Sequence, residues 1–405
     1  MKPRCLTSAL RELSFEDHKI ALVSGPRQCG KTTLAKMLLA ERGSGSYLSW
    51  DDPEVRRRWV RSPRSLLEVE PRGVPLLVFD EIHKARGWKR TLKGLFDTQE
   101  TPHDILVTGS SRLNVYRRGG DSLLGRALHF RLHPFSLSEL VAPAPPRPPD
   151  EHRTALFAGL PEGPEPGEML EAMLTLGTFP EPLLGGNERK ARLWRRSRLE
   201  RLVREDLRDL TRIAELSRVE MLASLLPERV GSPLSRAALR EDLEVSHDTV
   251  TRWLDLLGEL FYCFEVKPWT RSVKRSLRKE GKTYLWDPAE VPTSGPRFEN
   301  LVACHLVKAC DYWSDTGYGR FELFYLRNKE KEEIDFLVSC NQKPWLAVEA
   351  KLGAEQPSPA FAKFLRYLGL GLGLQLVGKP GIHRWHRVGD ARVLVASATT
   401  LSRWI

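Results

Sequence analysis

Hydrophobic and polar positions along this 405-residue chain change period along its length. Near the N-terminus the apolar stretches are short and unbroken: Ile20 to Val23, and Leu76 to Phe79 closed by Asp80-Glu81. Asp104 to Thr108 and Ala127 to Leu132 follow as further strand candidates. Apolar runs without polar alternation suit strands buried on both faces of a parallel sheet. Thr33 to Leu39 starts a helix between the first two, so residues 1–140 read as an alternating α/β sheet. Prolines then cluster at 143–149 and 161–166, which predicts a linker or exposed loop over 141–167. Residues 168–230 turn helical. Ser235 to Leu243 forms a short helix, Glu244-Val245 a turn, and Ser246 caps a second helix with the packing stripe Val250, Trp253, Leu254 and Leu257. With the strand Phe261 to Val266, residues 231–270 read as a winged helix-turn-helix. Residues 284–405 return to strands: a helix opens at Phe298-Glu299-Asn300, and Phe321–Leu326, Glu333–Val338 and Trp345–Lys351 follow as strands.

The loop after the first strand is Gly25-Pro26-Arg27-Gln28-Cys29-Gly30-Lys31-Thr32, and Thr33 continues into the helix. Strand, glycine-rich loop and helix start in this order make a phosphate-binding loop: backbone N–H groups and the helix N-terminus face an anion. Lys31 supplies a charge for the β/γ-phosphates and the Thr32 hydroxyl a ligand for Mg²⁺. Asp80 would hold the same Mg²⁺ through water, and Glu81 would orient or deprotonate the attacking water. Ser110, with Thr108 second, is the candidate polar sensor on the strand expected between the two motif strands. Arg126, in Leu123-Leu124-Gly125-Arg126, reads either as an arginine finger offered to a neighbouring subunit's ATP or as an ordinary surface arginine.

A second constellation lies near the C-terminus. Glu349 and Lys351 are two apart, so both leave one face of their strand. Asp335 and Glu349 could share a Mg²⁺, with Lys351 positioning water and Glu299 reaching in from the helix. If the strands pair so that Asp335 faces Glu349, Ser339 faces Trp345 and the loop is Cys340 to Pro344. A slip of one residue would place the acids on opposite faces.

Charge narrows the partners. The net charge is +11 and the pI about 9.4, which favours an acidic partner, nucleic acid first and an anionic membrane surface second. Ten Lys/Arg fall between Arg189 and Arg212 (Arg189, Lys190, Arg192, Arg195, Arg196, Arg198, Arg201, Arg204, Arg208, Arg212), with Leu199, Leu202, Val203, Leu207 and Leu210 at helical spacing. They read as a phosphate-tracking helix or as a solvated, internally paired face. The second helix of the winged pair carries Asp248, Asp255 and Glu259 against Arg252, which suits a protein contact better than DNA. The basic run Arg271, Lys274, Arg275, Arg278, Lys279 and Lys282 is the better DNA candidate. Six scattered cysteines without a paired spacing predict neither zinc nor disulfides and suit a reducing cytoplasm. No apolar run reaches membrane-spanning length, so no membrane partner is expected.

In order, GPRQCGKT, LLVFDE, LVTGSSR, LLGR, GTFPEPLL (Gly177 to Leu184), the winged helix, and FEN…EIDF…VEAK resemble a family of bacterial and archaeal AAA-type P-loop ATPases. That family carries a C-terminal domain, long of unknown function, related to PD-(D/E)xK nuclease folds. The resemblance implies an oligomeric ATPase, in a ring or smaller assembly, linked to DNA repair, recombination or defence. Three functions are open: an ATPase whose nuclease-like domain cuts DNA, a motor on branched DNA whose nuclease-like domain only binds, and an ATP-dependent switch for protein partners.

Overall fold

Each apolar run of the first 134 residues becomes a strand of one sheet. The computed structural model describes residues 2–68, 73–109, 123–141, 143, 146–161, 163–202, 213–270 and 280–405. The chain divides into two units, Met1–Pro134 and Phe135–Ile405.

In the first unit, β1 (Ile20–Ser24), β2 (Gly45–Ser49), β3 (Leu76–Asp80), β4 (Asp104–Thr108) and β5 (Ala127–Arg131) form a five-stranded sheet in the order β2-β3-β4-β1-β5. All its pairings are parallel. The whole of β3 and of β4 is buried, as continuous apolar runs require when helices cover both faces. Helix α1 (Lys31–Arg42) follows the phosphate loop and stops at Gly43, whose φ of 70° ends it in the left-handed conformation. Helix α2 (Pro53–Arg61) starts where the Asp52 side chain accepts the Glu54 N–H, with Pro53 at its first position. Val55 and Trp59 of α2 and Trp88, Leu92 and Leu95 of α3 (Trp88–Asp97) pack on Leu77, Phe79, Ile105 and Val107 of the sheet. Each such side chain contributes about 1.5–3 kcal/mol by leaving water.

The second unit is built on an eight-stranded sheet in the order β12-β13-β11-β10-β9-β8-β6-β7. The strands are β6 (Cys263–Pro268), β7 (Lys282–Leu285), β8 (Phe321–Arg327), β9 (Glu333–Cys340), β10 (Lys343–Lys351), β11 (Leu372–Val377), β12 (His383–Val388) and β13 (Ala391–Ser397). Because β6 and β7 join this same sheet, the expected boundary between 270 and 284 falls inside one layer. The Pro-rich segment also differs from expectation. Pro149 occupies the first turn of α4 (Pro149–Phe157), where a missing N–H costs nothing. His152 and Phe157 anchor α4: Arg147 donates its N–H to the His152 ring, and Phe157 stacks on Trp385 at 5.5 Å. Helices α5 (Glu165–Leu176) and α6 (Glu188–Arg201) follow. In α7 (Arg236–Leu243) and α8 (His247–Glu259), Ser235 and Ser246 each cap a first turn, and Glu244 turns the chain at φ 52°.

Helix α9 (Ser294–Asp315) packs on β7 to β10. Helix α10 (Ala360–Leu368) buries Phe361 and Leu365 against Leu337, Ala347 and Val393. Gly373 has no side chain for a spatial reason: a Cβ there would stand 2.8 Å from the Phe361 ring.

The β9–β10 hairpin meets the expected pairing by an unexpected route. Its turn is only Asn341-Gln342, with φ of 50° and 63°, the two positive angles of a type I′ turn. Lys343 therefore pairs with Cys340 and Pro344 with Ser339. A bulge at Trp345 then shifts the register, and Leu346 pairs with Val338 and Val348 with Phe336. Continued one pair further, this register sets Asp335 opposite Glu349. The five-residue loop and the Ser339–Trp345 pair are corrected, because a two-residue turn plus one extra residue gives the same count.

Candidate functional site

The nucleotide-type site is assembled at the carboxyl ends of β1, β3 and β4. Gly25 leaves β1 where a Cβ would lie 2.1 Å from the Leu132 carbonyl oxygen, so only glycine fits. Gly30, at φ 102°, turns the loop into α1, whose N-terminus carries no side-chain cap. Its N–H groups are therefore available to an anion. Cys29 is buried and donates its thiol to the Leu132 carbonyl at 3.3 Å, while Arg4 donates to the Cys29 carbonyl at 2.8 Å and to that of His133. These contacts pin the loop between the N-terminal segment and the end of β5. Lys31 is folded back, donating to the carbonyls of Gly25 at 2.9 Å and Pro26 at 2.6 Å.

Asp80 is the hub. Its carboxylate accepts the hydroxyls of Thr32 at 3.0 Å, Thr108 at 2.5 Å, and Tyr47. The topology explains this: β4 lies between β1 and β3, and β2 flanks β3, so the ends of three neighbouring elements point at one carboxylate. Glu81 follows in the left-handed conformation at φ 57°, a strained setting that the Thr108 carbonyl holds by accepting its N–H at 2.8 Å. Burial pushes the Glu81 carboxyl up, against Lys31 and Lys84, which lower it. Burial, then the hydrogen bond to Asp80, raises the Tyr47 phenol. Tyr47 escaped the sequence reading because β2 shows no apolar run. Its position beside β3 is the only signal for it, and that is topological.

Thr32 and Asp80, an uncharged hydroxyl and a carboxylate 3.0 Å apart, are the hard oxygen donors that Mg²⁺ takes. Ser110 lies outside the described residues. Arg126 sits at the other end of the sheet, ahead of β5, and holds Asp97 with Nε at 2.6 Å and Nη2 at 3.0 Å. Both groups are partly exposed, so the pair adds little stability.

The second unit brings its expected residues together around a lysine. Asp335 accepts the Ala350 N–H at 3.0 Å, and Glu349 accepts the Asp335 N–H at 3.0 Å. Lys351 Nζ is 2.7 Å from Glu349 and 3.8 Å from Asp335. Glu299 points in from α9, accepting Tyr284 at 2.6 Å and Lys282 at 3.1 Å. Gly231 sits against it, where a Cβ would be 3.1 Å from Glu299 Oε2. Burial and then the Asp335 charge push both Glu299 and Glu349 up to about 7. Lys282 is fully buried. Burial lowers its pKa, but Glu299, Asp335 and Glu333 outweigh that and leave it raised. Its place in a surface basic run is thus corrected: β7 turns it inward to the carboxylates. The rest of that run, 271–279, lies outside the described residues.

The donor set of this cluster does not match a metal site. Each oxygen of Asp335 and Glu349 already faces an N–H or an ammonium. Among the described residues no three His, Cys, Asp or Glu gather in a metal-holding group.

The basic helix also splits. In α6, Arg195 turns inward to Asp287 at 2.9 Å, and Arg198 is buried over the Phe179 ring, donating to the Phe261 carbonyl at 3.0 Å. Arg189, Lys190, Arg192, Arg196 and Arg201 are exposed, with Arg192 and Arg196 paired to Glu188 and Glu200. Val203, Arg204, Leu207, Arg208, Leu210 and Arg212 lie outside the described residues.

Comparison with known proteins matches residues 17–141 to an AAA domain. Over those residues the first unit is similar to an AAA domain. Residues 167–293 and 294–394 match two domains of unknown function, DUF8612 and DUF4143. An uncharacterized protein of Mycobacterium tuberculosis is 22% identical over 383 residues, covering 90% of this chain and 77% of the relative. An uncharacterized protein of Haemophilus influenzae is 22% identical over 358 residues, covering 80% and 81%. Among solved structures, AMPPCP-bound DnaA from Aquifex aeolicus aligns at 16% identity over 63% of this chain and 86% of that one, with a TM-score of 0.32. Among the described residues no helix is long and apolar enough to cross a membrane.

Proposed function

We propose that this protein is an Mg²⁺-dependent ATPase that acts on DNA, with a C-terminal nuclease-like domain that holds DNA without cutting it. The observation that carries the ATPase half is the 3.0 Å contact of Thr32 with Asp80, with Glu81 next in the chain. On ATP binding, Lys31 leaves the carbonyls of Gly25 and Pro26 and reaches the phosphates. The loop N–H groups cradle the phosphate oxygens. Glu81 orients the attacking water and takes its proton as that water adds to the γ-phosphorus and the bond from that phosphorus to the β,γ-bridging oxygen breaks, releasing ADP and inorganic phosphate. Mg²⁺ held by Thr32 and Asp80 would neutralise charge on the phosphate oxygens. Thr108, bonded to Asp80 in the strand between the motif strands, takes the sensing role alongside Ser110.

DNA is the partner that the net charge of +11 supports, with the exposed arginines of α6 as phosphate contacts. The convergence of Asp335, Glu349, Lys351 and Glu299 supports a nuclease-like ancestry. The engagement of every Asp335 and Glu349 oxygen favours holding over cutting. Arg126 serves as a finger in a homo-oligomer only once its Asp97 pair opens. The exposed acids Asp248 and Asp255 of α8 support a protein contact through the winged helix.

The test is ATP hydrolysis by the full chain with Mg²⁺, with and without linear, single-stranded and branched DNA, and the same DNA run on a gel. Stimulation without cutting supports the proposal. Cutting that Asp335→Ala removes replaces it with a two-site nuclease. Indifference to every DNA replaces it with a protein-directed switch.

A further inference from the structure

We propose that the carboxylate cluster of the second unit is neutralised by its own Lys282 in place of a divalent ion, and so does not depend on metal. The inference rests on the nuclease-like reading of that cluster and concerns how its charge is balanced.

Lys282 opens β7, and its ammonium is the centre of the cluster rather than a member of its rim. Nζ stands 3.1 Å from Glu299 Oε1, 2.5 Å from Glu333 Oε1 and 3.5 Å from Asp335 Oδ1. An ammonium has three N–H donors, and here three carboxylates surround it, one from α9 and two from β9. The side chain has no exposure, and its charged end lies 5.6 Å from the centre of the Tyr325 ring. A charge that deep persists only when paired and hydrogen-bonded. The carboxylates face the converse requirement, since like charges this close cannot stay ionised without a cation between them.

The charges nearly close. Glu299, Glu333, Asp335 and Glu349 are met by Lys282, by Lys351 at Glu349, and by Arg327 at 3.3 Å from Glu333. A divalent ion entering between Asp335 and Glu349 would have to displace Lys351 and the two N–H donors, and would sit beside the buried ammonium, which has no route to solvent. Lys351, 44% exposed, and Arg327, 34% exposed, are the cations of this set that reach the surface and could meet a DNA phosphate. The cluster is thus compensated from within to one negative charge, three cations against four carboxylates, with Lys351 and Arg327 at its surface.

The experiment is thermal melting and calorimetric titration of the full chain with Mn²⁺ alone, without nucleotide. It compares wild type, Asp335→Asn, Lys282→Ala, and Lys282→Ala combined with Asp335→Asn. Any rise in the wild-type melting temperature in Mn²⁺ over EDTA should be one that Asp335→Asn keeps, since the Thr32–Asp80 pair of the first unit can also take the ion. Lys282→Ala should melt lower, and Mn²⁺ should restore it saturably, with affinity at least about tenfold above wild type. Adding Asp335→Asn should remove that rescue. A wild-type melting temperature raised by Mn²⁺, by an increment that Asp335→Asn abolishes, overturns the proposal. That arm needs no Lys282 variant and decides the matter even if Lys282→Ala does not fold. DNA stimulation of ATP hydrolysis, measured separately, reports on the DNA reading and can fail without touching this result.

Discussion

Acid should remove the stability that one histidine gives the second unit. His305 lies wholly inside α9, with its Nδ1 2.9 Å from the Leu301 carbonyl and its Nε2 accepting the Leu137 N–H at 3.0 Å. This arrangement assigns the proton to Nδ1. Burial pushes the ring down to about 4 from 6.5, helped by Lys308, while the Leu301 carbonyl and Glu139 pull the other way. Protonating Nε2 would set a second N–H against the Leu137 N–H, and the lost bond has no water to replace it. The folded state therefore binds its proton later than the unfolded chain does. The His305 contribution is complete above about pH 6.5 and declines as pH falls through 6.5 to 4, while the raised Glu299 and Glu349 carboxyls gain stability over the same fall and oppose it. The gap between about 4 and 6.5 corresponds to about 3 kcal/mol at full protonation of the unfolded state. Urea unfolding of wild type and His305→Leu at intervals from pH 7.5 to 4.5, followed by tryptophan fluorescence, should show that decline as the difference between the two, which cancels the opposing carboxyls; Trp404 bonds to the His305 carbonyl at 3.2 Å and reports on the site. His305→Leu should cost about 1–3 kcal/mol at pH 7.5, because the Leu137 N–H loses its acceptor. The variant should also flatten the slope below pH 6.5. A variant with the parent's slope, or an NMR titration placing folded His305 near 6.5, would refute the reasoning.

At the nucleotide site, Lys31→Ala should abolish nucleotide binding, while Glu81→Gln should bind ATP and lose about 10²–10⁴-fold in turnover. A Glu81→Gln enzyme that turns over like the parent removes the general-base assignment. Tyr47→Phe should lower the Mg²⁺ concentration needed for half-maximal ATP hydrolysis, because the phenol competes for an oxygen of Asp80 that the metal would use. A higher requirement would mean Tyr47 positions Asp80 instead. Gly25→Ala should lose nucleotide binding and melt lower by calorimetry, since its Cβ meets backbone at 2.1 Å. Unchanged binding would show that the loop can move away from Leu132.

Local chemistry was legible from sequence wherever neighbours in the chain do the work. Gly25 to Thr32 announces a loop whose glycines and N–H groups are consecutive, and the acidic pair Asp80-Glu81 closes an unbroken apolar strand. Glu349 and Lys351 share a face by strand geometry alone, and the serine caps of α7 and α8 are single-residue signals. Composition set the charge. The rest depended on which elements come to lie side by side. Tyr47 and Thr108 reach Asp80 only because β2 and β4 flank β3. Pro149 starts a helix rather than a linker because α4 has His152 and Phe157 to anchor. The acids of β9 and β10 face each other because a two-residue turn and a bulge add to the right register, which counting residues cannot distinguish from a longer loop. Lys282 reads as one more basic surface residue until the sheet places it among Glu299, Glu333 and Asp335. Sequence periodicity records which residues avoid water. A buried ion pair leaves no such mark, because its partners are distant in the chain and their charges cancel only in space.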